Sequence, residues 1–349
     1  MKKQKSSPTI KDVAEYAGVS IKTVSRVIND SSEVTEITKK KVLDAIEKLG
    51  YRPNALAKSL RIKRTYTIGV IISDIANSFF GNVMKGIENV AIKNHYNIIF
   101  ANSDENIEKE KMYYQFFIEK QVEGMIIIPA PGSQSYLKKH AGLIPVVFID
   151  RKPKDWDGIV VKVNNEEGAY LLTKHLIEVH GYRSIVFLAT ELDIDPVGER
   201  FEGYKKAMEE ANLKVRVIEG NRTIEDGCKA IEKVLFSNKP QAIFGCNHVM
   251  TLGAIKATKK YSLEVPRDIA VVGFDDFESG DVLRPHLTAV AQVPYRIGEY
   301  AAELLFKQIT KNEFIKEKEI IVPVELKIRE SCGCLYVNVN EGTIIENRY

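Results

Sequence analysis

The 349-residue sequence contains no run of about 18 uninterrupted apolar residues, so no membrane-spanning helix is expected. Its first eight residues, MKKQKSSP, carry the positive charge that opens a signal peptide. The next ten, TIKDVAEYAG, are charged and amphipathic rather than apolar, so no leader is expected and the chain reads as cytoplasmic. Cysteine is scarce. Cys228, Cys246, Cys332 and Cys334 have no secretory context, and reduced structural thiols are the expectation. Cys332-Gly333-Cys334 supplies two of the four ligands that a zinc site needs, but no His or Cys cluster at the usual spacing supplies the rest. His175, His180, His248 and His286 read as scattered, and no metal is expected. Also missing are GxGxxG, the GxxxxGK phosphate loop and the G-x-S-x-G elbow, so neither an enzyme nor a cofactor is expected.

What is present is unevenly distributed. The net charge is only +3, yet residues 1–64 hold fifteen Lys/Arg against seven Asp/Glu. That is +8 on the head and −5 on the remainder, the footprint of a nucleic-acid-binding module joined to another body.

In the head, TIKDVAEYAGVSIKTVSRVIN reads as two short helices around a tight turn. Thr9 can cap the first, with Asp12 favouring its N-terminus, and Gly18 stands where the helix must stop. Ser20 caps the second helix, whose Val24, Val27 and Ile28 follow helical spacing. A third helix from about Thr35 is expected to bury Ile37, Val42, Ile46 and Leu49 and to end at Gly50. Three small helices around one core make a helix-turn-helix domain. Ile21, Lys22 and Arg26 point outward from the second helix, where base edges are read, and Ser20, Thr23, Ser25 and Asn29 suit phosphates.

That motif, with EKLGYRPNALAKSLR after it, resembles the lactose-repressor (LacI/GalR) family of bacterial transcriptional regulators. The resemblance implies that Ile21, Lys22 and Arg26 fall on base-reading positions. It places NALAKSLR on a hinge helix, with Asn54, Ala57 and Leu60 as DNA contacts and Leu60 as the minor-groove wedge. An eight-residue helix is too short to be stable alone, so its ordering is expected to depend on DNA and on the partner hinge.

After the hinge, short β-rich runs (TIGVIIS, NIIFANS, VEGMIII, PVVFID, SIVFLAT, AIFGCN, IAVVGFDD) alternate with amphipathic stretches, the pattern of parallel α/β sheets. Their number exceeds one mononucleotide-type sheet. The expected fold is therefore α/β, an N-terminal helix-turn-helix plus a two-lobed sensor domain like the periplasmic binding proteins. The resemblance implies three crossovers between the lobes, near Asn164, Val290 and Val322. Expected boundaries are 1–53 for the DNA-binding domain, 54–64 for the hinge, 65–335 for the effector-binding and dimerisation domain, and 336–349 for a tail.

Ligands of open α/β sheets bind beyond the carboxyl ends of strands. The residues there are Asp74, Asn77, Phe79, Phe80, Asp150, Arg151, Asn247, Asp275 and Gln292, with Arg200 early in a following helix. Polar edges with two aromatic rings suit a sugar, and these positions match the family's effector pocket. Ser78 stands where the family usually has proline in Asn-Pro-Phe-Phe. Arg222 falls where sugar-binding relatives often carry an aromatic residue. With Arg151 and Arg200 it would bring three guanidinium groups to one cleft, which favours a sugar acid. The function expected is an effector-controlled repressor of carbohydrate-utilisation genes, binding pseudo-palindromic operator DNA as a homodimer. The alternatives are a regulator that answers to a protein corepressor or another small molecule, and a sugar-binding transport protein, which the DNA-binding head disfavours. The tail LYVNVNEGTIIENRY lacks a leucine heptad, so no tetramerising helix is expected.

Overall fold

The structure, a computed structural model, describes residues 8–29, 33–52, 64–132, 136–137, 142–153, 157–276, 283–311 and 315–335. The chain divides into two compact units, Met1–Thr65 and Tyr66–Tyr349.

The first unit holds α1 (Ile10–Ala17), α2 (Ile21–Ile28) and α3 (Glu36–Leu49). Thr9 caps α1 in a reciprocal box: its Oγ1 accepts from the Asp12 amide, and the Asp12 carboxylate accepts from the Thr9 amide. Gly18, at φ 65°, ends the helix and turns the chain into α2. Val13, Ala14, Val24, Val27, Val42 and Ala45 form the core, with Ile28, Ile46 and Leu49 packed against it. Ile37, expected in that core, is 73% exposed instead. It lies five residues before Val42, about 140° around the helix from the buried stripe.

The second unit is built from two six-stranded sheets. The first lobe contains β1 (Thr67–Ile72), α4 (Ser78–Lys93), β2 (Asn97–Asn102), α5 (Ile107–Glu119), β3 (Met125–Ile127), β4 (Val146–Ile149) and β5 (Ile159–Val163). The second contains α6 (Asn165–Glu178), β6 (Ile185–Ala189), α7 (Asp195–Glu210), β7 (Val217–Glu219), α8 (Ile224–Leu235), β8 (Ala242–Gly245), α9 (His248–Lys260), β9 (Ala270–Phe274) and β10 (Thr288–Ala291). The chain then returns with α10 (Pro294–Lys311) and β11 (Glu319–Val322) to the first lobe, and with β12 (Glu325–Lys327) to the second. Sheet orders are β11-β5-β4-β3-β1-β2 and β12-β10-β9-β8-β6-β7, parallel except for the β10–β12 pair. The lobes therefore repeat one topology, and the chain crosses between them at Asn164, at Gln292–Val293 and at Pro323–Val324. The strands are apolar on both faces because helices cover both, as in Ile68 through Ile72 and Ala270 through Phe274.

Where α4 crosses α10 the backbones touch through two glycines. A Cβ on Gly298 would lie 2.0 Å from the Val83 carbonyl oxygen, and one on Gly86 would lie 2.1 Å from that of Tyr295. Glycine to alanine inside a helix ordinarily stabilises by up to about 1 kcal/mol. Here Gly298→Ala is expected to destabilise by roughly 1–3 kcal/mol, because neither backbone can yield without parting the helices. Urea unfolding checks the sign, and a stabilised variant would show that the crossing is loose.

Candidate functional site

On α2 the outward face is as the sequence pattern implies: Ile21 is 45% exposed and Lys22 is exposed. Arg26 is half-buried and pairs with Glu33 at 2.6 Å. Ser20 caps α2 by accepting from the Thr23 amide at 3.1 Å, and its hydroxyl meets that of Thr23 at 2.8 Å. Asn29 ends the helix, donating from Nδ2 to the Ser25 carbonyl at 2.7 Å and lying 3.5 Å from the Ser25 hydroxyl. These four residues thus shape the helix ends as well as offering short polar groups. Asn54, Ala57 and Leu60 lie outside the described residues, as does the tail 336–349.

Between the lobes of the second unit lies a cavity of about 280 Å³. Its lining includes Asp74, Asn77, Phe79, Phe80, Asp150, Arg151, Arg200, Arg222, Asn247, Asp275 and Gln292, so the fold brings together every cleft residue read from the sequence. Missed were Ser73, Asp104, Glu105, Thr190, Ile194, Pro196, Val197 and Val249. Strand-end position could have found Ser73 and Thr190, and also the carboxylates Asp104 and Glu105, which follow β2 as Asp74 follows β1.

Asn77 and Asn247 cap α4 and α9, accepting from the amides of Phe79 and Met250 at 2.9 Å. Ser78 is the first residue of α4. That position tolerates proline because its amide needs no helical partner, so serine there leaves the entry to the helix intact. Asp150 and Asp275 occupy equivalent places after β4 and β9. Each is left-handed (φ 70° and 76°), and each donates its amide to the neighbouring strand at 2.9 Å, to Val161 and Val290. Non-glycine residues persist in that conformation only where the surroundings over-determine it, and such sites cluster at ligand clefts.

The three guanidinium groups expected at the cleft are there, and each is engaged by other residues. Arg151 makes a bidentate pair with Glu105, at 2.5 and 2.7 Å, and donates to the Pro129 carbonyl at 3.2 Å. Arg200, 4% exposed, donates to Asn165 Oδ1 and to the Cys246 carbonyl at 2.8 Å. Its guanidinium lies 3.8 Å from the centre of the Phe274 ring and 3.9 Å from Asp275. Arg222, at the rim, meets Glu191 at 2.9 Å. Burial pushes the Asp150 carboxyl above its ordinary range against the pull of Arg151 and Arg200. Burial is also the largest influence on Asp275 and works the same way, but Arg200, His248 and Gln292 together outweigh it and hold that carboxyl below the usual range.

Lining carboxylates outnumber guanidinium groups, five to three. Three buried polar atoms of this lining, Ser73 Oγ, Arg151 Nε and Gln292 Oε1, have no hydrogen-bond partner among the described residues. The cleft therefore combines residues that hold unmet polar atoms with a surplus of carboxylates over guanidinium groups.

A further expectation fails on the tertiary structure. His175 and His180, read as scattered, lie with Cys332 and Cys334 in one cluster whose donor atoms are all within 4.8 Å of one another. The fold closes a gap of more than 150 residues that sequence spacing cannot show.

Comparison with known proteins agrees with both units. Residues 9–54 match the family described as bacterial regulatory proteins, lacI family, and residues 173–332 match the periplasmic binding protein-like domain. The HTH-type transcriptional regulator RegA of Clostridium saccharobutylicum is 39% identical over 329 residues, covering 93% of this chain and 98% of its own. The HTH-type transcriptional repressor PurR of Histophilus somni is 37% identical over 334 residues, covering 94% and 99%. Among solved structures, the Lac repressor dimer bound to operator and the anti-inducer ONPF superposes with a TM-score of 0.83 at 28% identity, covering 93% and 99%. The regulator CelR in its cellobiose complex gives 0.69 at 27% identity, with the same coverage. With a capped recognition-type helix, a doubled parallel sheet around a polar cleft and relatives matched over nearly their full length, this chain belongs to the lacI family of DNA-binding transcriptional regulators.

Proposed function

We propose that this regulator is a homodimeric repressor acting in the cytoplasm and controlled by a neutral, hydroxyl-rich small molecule of the mono- or disaccharide class. Ile21, Lys22 and Arg26 read base edges in the major groove. Ser20, Thr23, Ser25 and Asn29 set the phosphate register, and Asn54, Ala57 and Leu60 act in a hinge over residues 54–64. Residues 1–53 form the DNA-binding domain and 65–335 the sensor, with 336–349 as a tail. A dimer pairs two recognition helices with the halves of a pseudo-palindromic operator.

One observation carries the ligand class: Ser73, Arg151 and Gln292 line the cleft, and Ser73 Oγ, Gln292 Oε1 and Arg151 Nε, the last 3.6 Å from Asp150, make no hydrogen bond among the described residues. A hydroxyl both donates and accepts, so the hydroxyls of a polyol suit such a mixed set of donors and acceptors. Phe79 and Phe80 offer ring surface to its C–H face. A sugar acid, favoured by the arginine count alone, would have to displace Glu105, Asp275 or Glu191 from guanidinium groups they already neutralise. CelR, of the same fold, holds cellobiose, which is of this class.

Calorimetric titration with matched neutral sugars and their acids tests the reading. Wild type is expected to bind a neutral sugar at least about tenfold more tightly than its acid, a difference of about 1.4 kcal/mol. Arg222→Phe, which removes only a rim ion pair, is expected to leave the neutral sugar unchanged or tighter. Preference for the acid, lost on Arg222→Phe, would restore the anionic effector.

A further inference from the structure

We propose that His175, His180, Cys332 and Cys334 form a structural zinc site, which staples the C-terminal segment of the sensor domain to its second lobe.

The four residues come from two places. His175 lies in the last turn of α6, and His180 follows the end of that helix, just before the turn at Gly181 (φ 65°). Cys332 ends a short 3-10 turn, Glu330–Cys332, and Cys334 follows after one glycine. The spacings, His-x4-His and Cys-x-Cys, each let one short piece of chain present two donors to a common point. The first falls in the range common for zinc ligands.

The distances discriminate further. A tetrahedral zinc with bonds of about 2.0 Å to nitrogen and 2.3 Å to sulfur sets its ligand atoms about 3.3 Å (N–N), 3.5 Å (N–S) and 3.8 Å (S–S) apart. Cys332 Sγ and His175 Nε2 are 3.6 Å apart, Cys334 Sγ and His175 Nε2 3.7 Å, and Cys334 Sγ and His180 Nε2 3.3 Å. An S–H···N hydrogen bond alone tolerates such lengths, but one proton serves one acceptor. Here His175 Nε2 faces both sulfurs, and Cys334 Sγ faces both imidazoles. Four ligand atoms within 4.8 Å of one another, three of their pairs at 3.3–3.7 Å, is an arrangement that a cation satisfies.

The surroundings fit a site built for that purpose. Both cysteines are buried and both histidines half-buried, giving a dry sulfur side and an imidazole side open enough for entry. Gly333 sits at φ 114°, and a Cβ there would come within 3.1–3.3 Å of the His180 ring and the Tyr182 hydroxyl. The glycine is thus required by conformation and by space. Tyr182 donates from its hydroxyl to the Cys332 carbonyl at 3.0 Å and stacks on His180. The Thr288 hydroxyl lies 2.8 Å from the Arg329 carbonyl and 3.2 Å from Cys332 Sγ, so its one proton can turn to the sulfur from outside the ligand shell once that is a thiolate. On binding, the two thiols lose their protons to solvent and the two imidazoles bind neutral. The dication and two thiolates then cancel in charge.

The test uses the full chain, purified under reducing conditions without a metal-affinity step. About one zinc per chain is expected by elemental analysis. Cobalt(II) exchanged into the site is expected to show the intense visible bands of a tetrahedral thiolate complex. A strong chelator is expected to lower the Tm of wild type by about 4 °C or more, and added zinc to restore it. His180→Gln, at a half-buried ligand, and the double variant Cys332→Ser/Cys334→Ser are expected to lose the cobalt spectrum and the chelator response together. If the cysteine variant fails to fold, His180→Gln and the chelator response of wild type decide the matter. Wild type that takes up neither zinc nor cobalt, a His180→Gln protein with unchanged stoichiometry and spectrum, or a Cys332–Cys334 disulfide under reducing conditions would each overturn the site.

Discussion

Replacing Arg200 with methionine is expected to cost about 3–5 kcal/mol of unfolding free energy, the scale for breaking a buried ion pair from one side. Arg200 is 4% exposed, and its guanidinium ties Asn165 at the first crossover to the Cys246 carbonyl beside α9 and to Asp275. Methionine fills the space over Phe274 but leaves the Asp275 carboxylate, Asn165 Oδ1 and the Cys246 carbonyl without that donor. Binding of the proposed ligand is expected to fall below detection, because Asp275 and Gln292, joined at 2.5 Å, would reorganise. Urea titration measures the first effect and calorimetry the second. Arg222→Met is the control: its pair with Glu191 is 42–44% exposed, and pairs of that kind contribute about 1 kcal/mol or less. Equal destabilisation by the two variants would show that Arg200 has no special structural weight.

Arg26→Ala is expected to weaken binding to an operator, recovered by selection from randomised duplexes, by about 1–3 kcal/mol, roughly 5- to 150-fold. Random duplex should lose far less. Arg26 is held by Glu33 at 2.6 Å, and that pair must open for the guanidinium to reach a base. The pair is 39% and 64% exposed and so contributes no more than about 1 kcal/mol, less than a good base contact returns. Base readout is therefore expected to win the competition. Competition binding on operator and random duplex at one salt concentration checks it, and equal loss on both would reduce Arg26 to a phosphate contact.

The head was legible because its signals are local: the Thr9–Asp12 box, the turn at Gly18 and the stripe of Val24 and Val27 each span a few residues. Ile37 was misplaced because an apolar residue in the first turn fits a hydrophobic pattern by type while lying about 140° off its face. Among the cleft residues, position after a strand was enough to find Asp150 and Asp275. Glu105 also follows a strand, β2, but its bidentate pairing with Arg151, forty-six residues away, leaves no trace along the chain.

By itself, then, the amino-acid sequence determined the two-unit plan, the parallel doubled sheet, the helix-turn-helix and eleven of the cleft's nineteen lining residues. Those follow from periodicity, capping chemistry, the rule that strand ends face the crevice and the resemblance to the family. Only the tertiary structure decided what those residues do to one another. Arg151, Arg200 and Arg222 are paired with carboxylates from other segments, and with Asp104 and Glu105 in the lining the carboxylates outnumber the three arginines whose count favoured an acidic ligand. His175 and His180 meet Cys332 and Cys334 only because the chain, having crossed between the lobes three times, returns to the end of α6. Pair energies depend on distance in space, and a sequence records distance only along the chain.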